Sequence, residues 1–205
     1  MPVPATIIIY IILIKFYLIT LILINLDQIL KIYVKTNLEL GQSLKRFKWL
    51  KFFFIENPGI GYGYHLKYGD IEKIIISIIR TILIVIYFIY FYRNRKNIIY
   101  NYLKISICLL LAGSISNLLD CFFYGVIFNQ GLIFTNKTWT GYEGISKFIL
   151  YKKKGYSFFM CGCVVDMLYF PIFNVIFNIA DTCISIGGLI FLLLPRLDSN
   201  QRHPD

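Results

Sequence analysis

Four stretches of this sequence are long and apolar enough to cross a hydrocarbon layer roughly 30 Å thick, which takes about 20 helical residues. They run from Ala5 to Leu26, Ile74 to Tyr92, Ile98 to Leu118 and Pro171 to Leu194. A chain of 205 residues that is 58% hydrophobic cannot bury that much apolar surface in a core of soluble-domain size. The expected fold class is therefore membrane all-α, with four transmembrane helices in a single domain over 1–195. The intervening segments 27–73 and 119–170 fall on one side of the membrane. The first stretch is too long for a usual signal-peptide core, and no small-residue cleavage site follows it, so it reads as a retained span. Lys15 within it snorkels toward the nearer headgroups.

Basic residues set the expected orientation. The tight link Arg93, Asn94, Arg95, Lys96 is the densest basic cluster beside a membrane and argues for the cytoplasmic side. The loop after the first span competes, because it carries Lys31, Lys35, Lys45, Arg46, Lys48, Lys51 and Lys67. With four crossings, Asp27, Asn57, Asn117, Asp120, Asp166, Asn178 and Asp181 share one compartment whichever way the chain faces. Within the loop, Phe52-Phe53-Phe54-Ile55 and the glycines that follow suggest short strands, and so a small sheet on the outer surface of the helices. The polar tail 196–205 reads as a disordered cytosolic end.

Two carboxylates sit where carboxylates are expensive. Asp120 and Asp181 each lie at an apolar run, where an ionised group costs on the order of 3 kcal/mol or more, so one that persists there has a task. Asn174, Asn178, Asp181 and Ser185 recur at helical spacing in the fourth stretch, and Gly113, Asn117 and Asp120 do so in the third. Small residues beside them, Ser114 and Ser116, let membrane helices approach closely. Two carboxylates at short separation share a proton, giving one general base and one general acid near neutral pH. The base draws a proton from water attacking a carbonyl and the acid protonates the departing amine, which is aspartic peptidase chemistry.

Other schemes lack parts. The two histidines are His65 and His203, so a Ser/His or Cys/His arrangement rests on His65 alone. Cys161 and Cys163 have no second pair at ligand spacing, so no metal and no cofactor is expected. Cys108 and Cys183 read as apolar fillers. Gly59, Gly61 and Gly63 lack the strand and helix that frame a nucleotide loop and read as a turn. Lys152, Lys153 and Lys154 read as a solvated face, with lipid headgroups in reach. The charge of +10 is ordinary for a membrane protein and does not call for nucleic acid.

Five blocks in order carry a resemblance. Asp27-Gln28-Ile29-Leu30-Lys31, Glu56-Asn57-Pro58-Gly59, Gly113 through Asn117 to Asp120, Val164-Val165-Asp166 and Phe177-Asn178-Ile179-Ala180-Asp181 are similar to the motifs of bacterial lipoprotein signal peptidases. The stretch Val164 to Pro171 resembles the Bacteroidetes-type branch. Similarity covers about residues 15 to 194. It implies a membrane aspartic peptidase of the bacterial inner membrane, with its site toward the periplasmic face. Its implied substrate is a prolipoprotein whose cysteine after the scissile bond already carries diacylglycerol. It further implies Asp120 and Asp181 as the catalytic dyad, with Asn117 and Asn178 orienting the dyad or the substrate. Asp27, Lys31, Asn57, Gly113 and Asp166 match positions that line the substrate pocket or support the site. A monomer working among membrane lipids is expected. The chain departs from the family in having Ser116 before Asn117 where Gly is common, Cys121 where Arg is common, and Ile60 and Gly61 in place of two alanines. The segment from Gln130 to Met160 is an insertion relative to shorter members. The rival class is a small transporter or channel whose Asp120 and Asp181 bind a cation or relay protons.

Overall fold

The structure is a computed structural model in which residues 5–44, 49–59, 68–94, 101–149 and 154–201 are described. Helix α1 (Ala5–Asn37) leads through strands β1 (Ser43–Leu44) and β2 (Lys51–Asn57) to helix α2 (Asp70–Asn94). Helix α3 (Asn101–Leu119) passes into a π-helical turn, Asp120–Tyr124, and then the short α4 (Gly125–Ile127). Strands β3 (Ile133–Thr135) and β4 (Thr138–Thr140) form a hairpin, strands β5 (Val164–Phe170) and β6 (Val175–Phe177) follow, and helix α5 (Ile179–Gln201) closes the described chain.

Three helical segments are long and apolar enough to cross a membrane, Ile14–Asn37, Asp70–Arg93 and Tyr102–Ile127. A shorter apolar helix runs over Ile179–Leu193. Their outward faces are bare aliphatic and aromatic surface, as at Leu18, Leu21, Ile22, Ile82, Ile86 and Leu192, the surface that lipid covers. The helices meet through small residues. A Cβ on Gly113 would lie 2.3 Å from the Ala180 carbonyl oxygen, so α3 touches α5 there because the residue is glycine. Ser106 Oγ donates to the Gly187 carbonyl at 2.7 Å two turns away.

The sheet is antiparallel in the order β1-β2-β5-β6. Lys51 pairs with Tyr169 at one end of the β2-β5 ladder and Asn57 with Val164 at the other, with a shift between Phe52 and Ile55 that puts Asp166 opposite Ile55. The inner face of this sheet packs on the C-terminal turns of α1 and on the π turn. Val34, Leu38, Phe54, Tyr124, Phe128, Val165 and Met167 form that core.

Four sequence expectations change here. The first span does not end at Leu26; α1 continues to Asn37, because Asp27, Lys31 and Lys35 satisfy one another or nearby groups inside the protein rather than opening a loop. Lys31 and Lys35 are fully buried, so they leave the count of loop charges. The fourth stretch is helical only from Ile179, and Pro171 to Phe177 instead forms the β5-β6 turn and strand β6. Asn174 stands in that turn with φ 52°, so the stripe from Asn174 to Ser185 is not a helical one. Strand β5, which no periodicity announced, supplies the centre of the sheet. Helix α5 also runs to Gln201, where a disordered tail was expected. Arg95, Lys96, Lys45, Arg46, Lys48, Lys67, Ile60, Gly61, Gly63, His65, Lys152, Lys153 and the last four residues, His203 among them, lie outside the described residues.

The insertion is anchored by a buried cation. Lys35 Nζ pairs with Glu56 and donates to the Gln130 carbonyl at 3.0 Å. Phe128, Tyr142 and Tyr156 place their rings 5.0 to 5.4 Å from it, a cation–π cage. Glu56 also accepts from Leu132 N and Tyr142 OH. Helix α1, strand β2 and the insertion are thereby tied at one point.

Candidate active site

Asn178 organises the site. It precedes the first residue of α5, and its side-chain Oδ1 accepts the Asp181 N–H at 2.7 Å while its own N–H points to Asp181 Oδ2 at 3.4 Å. This is a reciprocal N-terminal cap, in which the third helical residue returns the bond to the capping residue. The Asn178 amide Nδ2 then donates to Asp166 Oδ1 at 2.6 Å. One side chain therefore caps the helix that carries Asp181 and holds the carboxyl of Asp166 from strand β5.

The other donors converge on the same pair. Asn117, two residues before the end of α3, donates from Nδ2 to Asp181 Oδ1 at 2.9 Å. Asn57, the last residue of β2, donates from Nδ2 to Asp166 Oδ2 at 3.3 Å. Asp166 is 2% exposed. Burial pushes its carboxyl up to about 8, the negative charge of Asp181 adds to the rise, and Lys31 and the amide donors pull the other way. Asp181 is half-buried and reaches the wall of a cavity of about 410 Å³ between α2, α3, β6 and α5. A second cavity of about 330 Å³, lined by Phe170, Phe173, Phe177 and Ile186, also ends at Asp181.

Asp120 occupies a different place from the one its sequence setting suggests. Its Oδ2 accepts from Lys31 Nζ at 2.8 Å and from Val165 N at 3.2 Å, and its Oδ1 accepts from Gln28 Nε2 at 2.7 Å. Lys31 gives its other hydrogens to Asp27 Oδ2 at 2.7 Å and Asn117 Oδ1 at 2.8 Å. Asp27 in turn accepts from Ser116 Oγ at 2.6 Å and from Ala180 N at 3.0 Å, within the first turn of α5. This cluster is fully buried, every lysine proton has an acceptor, and it stitches α1, α3, β5 and α5 together. The structure does not bring the expected dyad of Asp120 and Asp181 into direct contact: the carboxyl that feels the charge of Asp181 is Asp166, whereas Asp120 is engaged by Lys31 and Gln28.

Gly113 serves the site through packing, since its missing side chain brings α3 and hence Asn117 against the first turn of α5. Gln28 belongs with the site although the sequence reading gave it no role: it bridges Asp120, the Ser116 hydroxyl and Tyr124 OH. Its signal was its position next to Asp27 in the first block. The π turn, a feature common at functional sites, begins at Asp120, and Gly162 lets the following loop lie on the Asp120 carbonyl.

With this geometry in view, the comparisons are specific. The sequence profile described as Signal peptidase (SPase) II matches residues 19–195. The chain belongs to the signal peptidase II family. Among curated members, the lipoprotein signal peptidase of Porphyromonas gingivalis is 34% identical, over 90% of this chain and 86% of that protein. The lipoprotein signal peptidases of Amoebophilus asiaticus and Listeria welshimeri are each 26% identical, over 91% of this chain and 80% and 96% of theirs. Among solved structures, a bacterial membrane enzyme determined in meso at 2.3 Å resolution superposes with a TM-score of 0.61 at 22% identity, covering 93% of both chains. Signal peptidase II membership makes this a multi-pass bacterial membrane peptidase, and it gives the transporter reading no support.

Proposed function

We propose that the chain is an aspartic endopeptidase that removes the signal peptide from diacylglyceryl-modified prolipoproteins, with Asp166 and Asp181 as its catalytic pair. The carrying observation is that Asn178 holds both carboxyls, one through its amide nitrogen and one through the helix cap. At neutral pH Asp166 keeps the shared proton, being the more buried and raised to about 8, and Asp181 is the base. Asp181 draws a proton from a water attacking the scissile carbonyl, while the Asp166 proton passes to the developing oxyanion and then to the leaving amine. Asn117 and the Asn178 N–H steady the ionised Asp181 during the attack.

The same reading places four crossings in the bacterial inner membrane, with α5 as the fourth and the sheet on the periplasmic side. Supporting it are the apolar helices, the withdrawal of Lys31 and Lys35 from the exposed charge of that face, and the two cavities that open onto Asp181 between apolar walls. Lipid of the substrate occupies the apolar surface and delivers the peptide bond to the pair, gaining rate by positioning. A single chain holds every group the reading needs, so it works as a monomer among membrane lipids.

Reconstituted protein should cleave a diacylated prolipoprotein before its lipidated cysteine. Asp166→Asn and Asp181→Asn should each reduce kcat by at least about a thousandfold, since the pair acts as a unit. Cleavage by either variant at the wild-type rate refutes the pair.

A further inference from the structure

Arg80 is a charged group on the membrane-facing helices that the chemistry above leaves unused. It is the eleventh residue of α2, about 15 Å along the helix axis from its start, inside a segment apolar enough to cross a membrane. It lies on the face of α2 that turns inward, in register with buried Lys73, Ile76 and Ser77 and, below it, Phe91. Its Nη1 donates to Cys121 Sγ at 2.8 Å, a weak acceptor. Among the described residues no carboxylate lies within ion-pair reach of it. A guanidinium held at this depth without a counter-charge is costly unless something else uses it.

The cavity of about 410 Å³ supplies the user. Arg80 and Asp181 both line it, with Ser114 and Asn117, among otherwise largely aliphatic and aromatic walls. No ion pair joins the two charges, and the cavity they share has room for a group of the substrate. Guanidinium offers N–H donors only, five in a planar fork. Of the groups a lipidated peptide presents at this level, carbonyl oxygens alone match it: those of the glyceryl esters and those of the signal-peptide backbone. We propose that Arg80 is a substrate-positioning residue that grips such a carbonyl oxygen and so sets the scissile bond over Asp181. The inference rests on the peptidase reading above.

The test uses full-length protein in proteoliposomes with two prolipoprotein substrates, one carrying ester-linked diacylglyceryl and one carrying ether-linked dialkylglyceryl, which lacks the ester carbonyls. Because the grip persists from bound substrate to transition state, Arg80→Met should raise KM about tenfold, the size of one or two lost charge-assisted hydrogen bonds, with kcat within about twofold. Arg80→Lys should raise KM less, since the charge stays and the fork is lost. If the ester is the ligand, wild type shows the raised KM on the ether substrate and Arg80→Met does not discriminate between the two. If the backbone is the ligand, Arg80→Met raises KM equally on both. Wild-type KM in Arg80→Met on both substrates, or a fall in kcat alone, overturns the proposal. Should Arg80→Met fail to fold, Arg80→Lys decides on the same criterion. With Asp166→Asn inactive as a control, such a failure leaves the peptidase reading intact, whereas an inert wild-type protein overturns both.

Discussion

Asp120 and Asp166 are both buried carboxyls near the start of α5, yet their surroundings differ in charge. Asp120 meets a lysine whose three protons are all accepted, by Asp120, Asp27 and Asn117. Asp166 meets amide donors and a second carboxylate, and burial raises it to about 8. A lysine in contact with a carboxylate favours its charged form, whereas a neighbouring carboxylate favours the protonated one. Depth in the protein does not distinguish the two; the identity of the nearest charge does.

Substitutions can break this comparison directly. Asp166→Asn should abolish cleavage, whereas Asp120→Asn should leave the folded fraction able to cut and lower stability by about 3 kcal/mol, because it removes one partner of a buried ion pair. Thermal denaturation alongside turnover per folded molecule separates them, and a silent Asp120→Asn with a normal melting temperature contradicts the assignment. Lys31→Met should destabilise by about 3–5 kcal/mol, leaving Asp27 and Asp120 side by side without a cation, and adding Asp120→Asn should restore part of the loss. If the double variant melts below the single one, the cluster is not held by charge compensation.

Smaller effects sharpen the contrast. Gly113→Ala sets a methyl 2.3 Å from the Ala180 carbonyl, which should cost about 1–3 kcal/mol by overpacking and slow cleavage by moving Asn117 away from Asp181. Unchanged turnover would show that the α3-α5 approach does not position the pair. The pH profile is the finest probe. Activity depends on the proton kept by Asp166, so its alkaline limb should fall as pH rises through about 8. Asn57 donates to the charged form of Asp166, so Asn57→Ala should move the alkaline limb upward by less than about one unit. A shift in the opposite direction would mean that Asn57 acts on something else.

The membrane class, the family blocks and the two asparagines of the site were legible in the sequence because each rests on local composition or short spacing. Asn117 and Asn178 stand one turn from an aspartate whatever the tertiary fold. The partner proposed here for Asp181 was not legible. Asp166 reaches it through strand β5, whose register depends on β2 more than a hundred residues earlier in the chain, and helical periodicity cannot report a strand. Asp120 matched both the periodicity and the third family block, and so was the expected partner. The end of α1 was missed for a related reason, since Asp27, Lys31 and Lys35 look like loop residues until their partners on α3 and β2 are known. Pro171 to Phe177 is apolar enough for a span and forms a hairpin because proline and the left-handed Asn174 favour a turn.

Asn178 makes the last helix and the reactive pair a single assembly event. On the proposed pairing, a chain whose α5 is not yet docked holds Asp166 without its partner, so cutting waits for the helix to seat.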